Sequence, residues 1–219
     1  LAPGQLLRRA IEADRIQSLI FYGPPGTGKT SLAQIIARQT KSKFERLSGV
    51  ESNVADMRRV LSGAANRLEN TGKSTILFID EIHRFNKSQQ DAFLPFVEQG
   101  LFTFIGATTE NPSFEVNSAL LSRAAVYVLK PLSEEELGVL FERARAGPLR
   151  SLEFTDEARA VLIGFADGDA RRLLNMLEQT ADAASSAGRD RIDTDYVRQT
   201  LASKLRQFDI RYRRIRQRH

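Results

Sequence analysis

Residues 23–30, Gly23-Pro24-Pro25-Gly26-Thr27-Gly28-Lys29-Thr30, constrain the fold of this chain more than any other stretch. They match the pattern Gly-x-x-x-x-Gly-Lys-Ser/Thr at every fixed position, and their flanks are of the kinds the pattern requires. Leu19-Ile20-Phe21-Tyr22 is a short apolar run of strand type, and Leu32, Ala33, Ile35, Ile36 and Ala37 follow at helical spacing. A strand, a glycine-rich loop and a helix in that order aim successive backbone N–H groups at one phosphate chain. Gly23 and Gly28 permit backbone angles closed to other residues. The helix adds its unsatisfied amides and the positive end of its dipole. Lys29 is then the charge on the β- and γ-phosphates, and the Thr30 hydroxyl is a magnesium ligand. The alternative is an ordinary Gly/Pro turn, and the flanks argue against it. The loop predicts a nucleoside triphosphate; what is done with that nucleotide has to come from other residues.

The 219 residues are 42% hydrophobic and 27% charged, enough for one large domain or two smaller ones. No apolar run approaches a membrane span, and Leu1 onward does not read as a signal peptide. Zero cysteines exclude disulfides, thiolate metal sites and a cysteine nucleophile, which suits a cytosolic setting. Two histidines leave little room for zinc. The net charge of +5 hides an uneven distribution: residues 204–219 carry seven Lys/Arg against Asp209, a net of +6, which leaves −1 for the rest. Overall charge is therefore no argument that the folded body binds DNA.

Leu6, Leu7, Ala10 and Ile11 share one face of a short opening helix. Phe44 to Leu47 is a second strand, and Val54 to Leu68 recur at helical steps until Asn70-Thr71-Gly72. Ile76-Leu77-Phe78-Ile79 is a third strand, apolar on both faces, as suits the middle of a parallel sheet covered by helices. Ser88 to Val97 reads as a helix that Pro95 should kink. Phe102 to Ala107 is a fourth strand, Ser118 to Ser122 a helical turn, and Val126 to Leu129 a fifth strand. The alternation predicts an α/β fold, a doubly wound parallel sheet over residues 1–130. After Pro131 no convincing strand follows, and residues 131–203 read as a small all-helical lid. Its helices open at the capping box Ser133–Glu136, at Thr155, at Gly168-Asp169 and at Asp193/Thr194, with Gly147-Pro148 as a break. Residues 204–219 are a basic tail.

Asp80 and Glu81 follow the third strand directly. A carboxylate at that strand end, beside a phosphate loop, is placed to hold magnesium and its waters, the role given to Asp80. Glu81 points differently and can polarise the water that attacks the γ-phosphorus. Two solvated acids at a strand end are the alternative, and the phosphate loop weighs against it. Thr108 and Thr109 end the fourth strand, where a hydroxyl can meet the γ-phosphate or the attacking water; spacing does not say which. Arg123, just before the fifth strand, and Arg171, opening a lid helix, each read alone as solvated charges.

In this order the motifs resemble the AAA+ ATPases, in the branch of clamp loaders and Holliday-junction motors. The stretches Asp80-Glu81-Ile82-His83-Arg84-Phe85-Asn86-Lys87-Ser88-Gln89-Gln90-Asp91-Ala92-Phe93-Leu94-Pro95 and Ile105-Gly106-Ala107-Thr108-Thr109-Glu110-Asn111-Pro112-Ser113-Phe114 resemble more narrowly the replication-associated recombination protein A family, whose eukaryotic relative is the Werner-helicase-interacting ATPase. The resemblance covers about Pro3 to Asp209. It implies that Gly23 to Thr30, with Ser31, hold ATP and Mg2+, that Asp80 and Glu81 are the Walker B pair, and that Thr109 is sensor 1 with Thr108 as alternate. It makes Arg123 an arginine finger acting in trans on the neighbouring subunit's nucleotide, and Arg171 a sensor 2 contact to the γ-phosphate. Ser48 falls where relatives restrain the catalytic glutamate.

By the same resemblance the protein is a DNA-dependent ATPase at stalled or damaged forks, cytoplasmic and nucleoid-associated. Its partners are single-stranded, gapped or forked DNA and replication proteins such as single-strand binding protein, with no membrane. Full-length relatives are tetrameric homo-oligomers. The chain lacks the family's preceding segment, part of which packs on adenine, and stops where the family continues into a helical tetramerisation domain, so it is expected to turn over weakly alone. Ile210 to His219 departs from the family and reads as a truncation or divergent end, or as a nucleic-acid-binding arm. Two other readings stand beside this one. An ATP-gated scaffold needs none of Glu81, Arg123 and Arg171. A protein-remodelling ATPase would carry an aromatic residue in Ser48-Gly49-Val50-Glu51-Ser52-Asn53, and there is none.

Overall fold

In the computed structural model the apolar runs of the first 130 residues become five parallel strands of one sheet. The structure describes residues 6–13 and 15–202; the basic tail of the sequence reading lies outside them. The strands are β1 (Leu19–Tyr22), β2 (Lys43–Ser48), β3 (Thr75–Asp80), β4 (Thr103–Thr108) and β5 (Ala125–Val128), ordered β2-β3-β4-β1-β5. Among the described residues the chain divides into two compact units, one of residues up to 24 with 28–130, the other of 25–27 with those from 131 onward.

The double layer follows from the period of a strand. Successive side chains alternate faces, so Leu19, Phe21, Ile76, Phe78, Ile105 and Ala107 pack with Leu7 of α1 (Leu6–Glu12) and with Ala33, Ile36 and Ala37 of α2 (Lys29–Gln39). The residues between them, Ile20, Leu77, Ile79 and Phe104, pack with Met57, Leu61 and Ala64 of α3 (Val54–Thr71). Burial of each large side chain contributes about 1.5–3 kcal/mol. Phe21, Phe78 and Phe104 are fully buried, so the central strands are held from both sides and their C-terminal ends form a rigid edge.

The helix expected over Ser88 to Val97 is instead two, α4 (Lys87–Asp91) and α5 (Leu94–Glu98). Pro95 lacks the N–H that would meet the carbonyl of Asp91, and its ring crowds that carbonyl; the chain turns at Ala92 and Phe93 and restarts with proline in the first turn. Short helices α6 (Pro112–Glu115) and α7 (Ser118–Leu121) precede β5.

The second unit holds α8 (Glu134–Ala146), α9 (Asp156–Ala166), α10 (Ala170–Ala187) and a helix over 194–202, around Leu137, Phe141, Leu162, Leu173, Leu177 and Val197. Ser133 and Glu136 form the expected capping box, Thr155 accepts from the Ala158 amide, and Asp169 accepts from the Arg172 amide. Of Asp193 and Thr194 it is Asp193 that caps, taking the Tyr196 amide at 2.9 Å. That bond, helped by the Arg189 guanidinium, keeps its carboxyl below the ordinary carboxylate value. The sequence reading expected no convincing strand here, yet β6 (Glu153–Phe154) and β7 (Arg191–Ile192) pair in parallel. A two-residue ladder has no periodicity to read, and it forms because Ile192 is buried in the helical core and Phe154 packs on Phe141.

Candidate active site

The phosphate loop leaves β1 with no room for side chains. The Gly23 amide donates to the Thr108 carbonyl at 3.2 Å, and any Cβ on Gly23 would run into the Leu129 carbonyl. Lys29 is buried at 8% exposure, and its Nζ donates to the carbonyls of Gly23 at 2.6 Å and Pro24 at 2.8 Å. The loop thus carries a desolvated positive charge against its own backbone, an arrangement suited to an anion. Gly28, at φ 87°, is the residue before α2 and brings no side chain to its first turn, which leaves the helix N-terminus to backbone amides. Thr30 is half-buried in that turn, and its hydroxyl makes no hydrogen bond among the described residues; Ser31 is exposed. Gly28→Ala is expected to cost about 1–2 kcal/mol of stability, because a Cβ at this left-handed position is strained. Thermal denaturation of the variant checks it.

Parallel pairing places the ends of β1, β4 and β3 on one edge of the sheet, with β4 in the middle. Gly23, Thr108 and Asp80 therefore emerge side by side. The Asp80 carboxylate is held by Arg46 of β2, Nη2 to Oδ2 at 2.6 Å. Glu81 turns away from it through a left-handed backbone, φ 53° and ψ 49°. For a residue with a long side chain such a conformation costs about 1–3 kcal/mol, and here it re-aims the carboxylate at the first turn of a 3-10 segment, Ile82–Arg84. There His83 Nε2 lies 3.2 Å from Glu81 Oε2, and His83 Nδ1 lies 3.0 Å from Thr108 Oγ1. Thr108 is fully buried, and its hydroxyl also accepts the Glu110 amide at 3.0 Å. Thr109, half-buried and one residue past β4, has a hydroxyl without a hydrogen bond among the described residues.

The hydroxyl of Ser48 does not restrain Glu81. It accepts the amides of Val50 and Glu51 in its own turn, and the side chain on Glu81 is His83. Spacing offered no reason to prefer the histidine, since only the 3-10 turn brings it back over the carboxylate. Arg46 also goes unread in the sequence, although it lies two residues before Ser48, the register partner of Asp80, and so shares the face of Asp80.

Gln90 is a second residue the sequence did not single out. It is buried at 1% exposure; its Nε2 donates to the carbonyls of Phe85 at 2.9 Å and Glu115 at 3.0 Å, and its Oε1 accepts the Asn117 amide at 2.7 Å. It joins the segment after β3 to the segment after β4. Gln90→Leu takes the partner from the buried Phe85 carbonyl and from the part-buried Asn117 amide, while the Glu115 carbonyl keeps Lys87, and stability is expected to fall by about 1–3 kcal/mol, measured by denaturant unfolding. Beyond it, Arg123 follows α7 and bonds Glu98 at 2.6 Å and the Ala119 carbonyl at 2.8 Å. Arg171 is exposed in the first turn of α10.

No cluster of three or more His, Cys, Asp or Glu among the described residues could hold a metal by itself. The donor set fits magnesium bound with a nucleotide, which takes one or two protein oxygens and otherwise phosphate and water: the Thr30 hydroxyl and the Asp80 carboxylate would supply those oxygens. No helix among the described residues is long and apolar enough to cross a membrane.

A family model described as "ATPase family associated with various cellular activities (AAA)" matches residues 19–132, and one described as "AAA C-terminal domain" matches residues 148–212. Replication-associated recombination protein A of Escherichia coli K12 is 48% identical over 216 residues, covering 95% of this chain and 48% of the relative. ATPase WRNIP1 of Dictyostelium discoideum is 46% identical over 182 residues, covering 81% of this chain and 21% of its own length. The chain spans about half the length of the bacterial relatives it matches. Among solved structures, the Thermotoga maritima RuvB Holliday junction branch migration motor superimposes with a TM-score of 0.73 at 30% identity, over 90% of this chain and 65% of that one.

Proposed function

The chain belongs to the AAA family of ATPases, in the group of replication-associated recombination protein A and WRNIP1, and from that premise we propose a DNA-dependent ATPase that couples hydrolysis to remodelling of DNA or replisome components in fork maintenance and recombination. The observation that carries the ATPase part is the shared sheet edge, where the phosphate loop with buried Lys29 follows β1, Asp80–Glu81 close β3 and Thr108–Thr109 close β4.

In this reading the loop amides and Lys29 bind the phosphates of ATP, and Thr30 and Asp80 hold Mg2+. When bound, the ion neutralises charge developing on the phosphates. Arg46 must then yield part of its hold on Asp80. Glu81 is the base: it orients a water and takes its proton as the bond to phosphorus forms. Thr109, whose hydroxyl is uncommitted while that of Thr108 is engaged, contacts the γ-phosphate or the water. Arg171 is the sensor 2 residue, and Arg123 serves the nucleotide of an adjacent copy. A homo-oligomer follows, tetrameric as in the full-length family. The cytoplasm and the nucleoid are the proposed location, and single-strand binding protein a proposed partner.

DNA as the effector is supported by the names of the relatives, a replication-associated recombination protein and a Holliday junction motor. Phosphate release at fixed salt, with forked, gapped or blunt DNA and without DNA, tests it. A severalfold faster rate with DNA is expected; equal rates contradict the DNA-dependent reading.

A further inference from the structure

We propose that His83 is a positioning residue for hydrolysis: its ring bridges the Glu81 carboxylate to Thr108 and so ties the aim of the base to the turn after β4. The inference rests on the ATPase reading above. A carboxylate only accepts hydrogen bonds, so the hydrogen in the 3.2 Å contact belongs to His83 Nε2. In a neutral ring Nδ1 is the acceptor, 3.0 Å from the Thr108 hydroxyl. That hydroxyl has one hydrogen and a second acceptor in reach, the Glu110 carbonyl at 3.1 Å.

The bridge is therefore a chain with a branch point. With the Thr108 hydrogen on the ring, Thr108 donates to His83 and His83 donates to Glu81 in one continuous line. With the hydrogen turned to Glu110, the ring loses its anchor and the turn gains one. Thr109 lies inside that turn, between Thr108 and Glu110. A change in the turn, such as contact of Thr109 with a γ-phosphate, is felt at the ring and through it at the base.

Burial gives the bridge its weight. The His83 side chain is 8% exposed and Thr108 fully buried, so neither exchanges its partner for water cheaply. The Glu81 side chain is 33% exposed, and among the described residues His83 is its sole side-chain partner. Released, a glutamate on a left-handed backbone samples several rotamers. A base displaced by about 1 Å loses on the order of a hundredfold in rate.

The test compares His83→Ala, His83→Gln and Thr108→Val with the unaltered chain in ATP hydrolysis, together with the ring's tautomer read by long-range 1H–15N NMR correlation. His83→Ala is expected to lower kcat by about tenfold to a hundredfold, with KM for ATP little changed. His83→Gln, whose amide can donate to Glu81 and accept from Thr108, is expected to restore part of it even if the alanine variant folds poorly. Thr108→Val combined with His83→Ala should cost no more than the worse single change, since both cut one chain. The NMR expectation is an Nε2–H ring whose Nδ1 resonance moves in Thr108→Val. An unchanged kcat in His83→Ala, a loss confined to KM, or an Nδ1–H ring overturns the proposal. A wild-type chain that binds ATP and never hydrolyses it overturns the ATPase reading instead, and the tautomer then decides the bridge without turnover.

Discussion

Glu81→Gln is expected to retain ATP and to lose turnover by about 10²–10⁴-fold, the range a well-placed general base contributes. The substitution keeps size and shape. Its amide oxygen can still accept from His83 Nε2, 3.2 Å from the carboxylate in the structure, so the left-handed turn and the bridge to Thr108 have no reason to collapse. What disappears is the proton acceptor. The proposed phosphate-binding groups lie elsewhere, on Lys29 and the first turn of α2, and they are untouched. Nucleotide binding by calorimetry beside phosphate release separates the two effects. Turnover that survives the change would remove Glu81 from the role of base, and loss of binding would mean that Glu81 supports the loop.

Arg123→Ala is the second large effect, a loss on the order of a thousandfold in turnover with ATP binding intact. Topology carries the argument. β1 and β5 are neighbours in parallel register, with Leu19 opposite Ala125 and Tyr22 opposite Val128. Gly23 lies just past the C-terminal end of β1, whereas Arg123 lies two residues before the start of β5, at the other edge of the sheet. Four strand residues separate those edges by about 13 Å. On the proposed reading, an arginine on that side serves another molecule's nucleotide rather than its own. Its ion pair with Glu98 is no obstacle, because side chains 40% and 51% exposed hold each other weakly; such pairs are worth at most about 1 kcal/mol.

The sheet was legible because its residues obey one period. Leu19 to Tyr22 and Ile76 to Ile79 are apolar on both faces, and both become central strands packed between helices. Caps were legible for the same reason, that a local rule decides them: Asn70-Thr71-Gly72 ends α3 with Gly72 left-handed, and Ser133, Thr155 and Asp169 each cap the helix they precede. Tertiary geometry settled the rest. The break at Ala92–Phe93 depends on how far Pro95 disturbs its surroundings, and the β6–β7 ladder depends on a core that the sequence of either strand does not contain. His83, Arg46 and Gln90 stayed unread because each acts through a partner on another element. Thr108 and Thr109 were interchangeable in sequence; the structure gives Thr108 to the core and leaves Thr109 at the edge.

The central claim is that hydrolysis takes place at a site shared by two copies of the chain. Mixing Arg123→Ala with Lys29→Ala tests it most directly. The first variant binds ATP but has no arginine to offer, and the second offers the arginine but has lost the loop's charge. The account predicts that each alone is inactive and that the mixture regains hydrolysis, highest at intermediate ratios. A mixture no more active than its components at every ratio would contradict it.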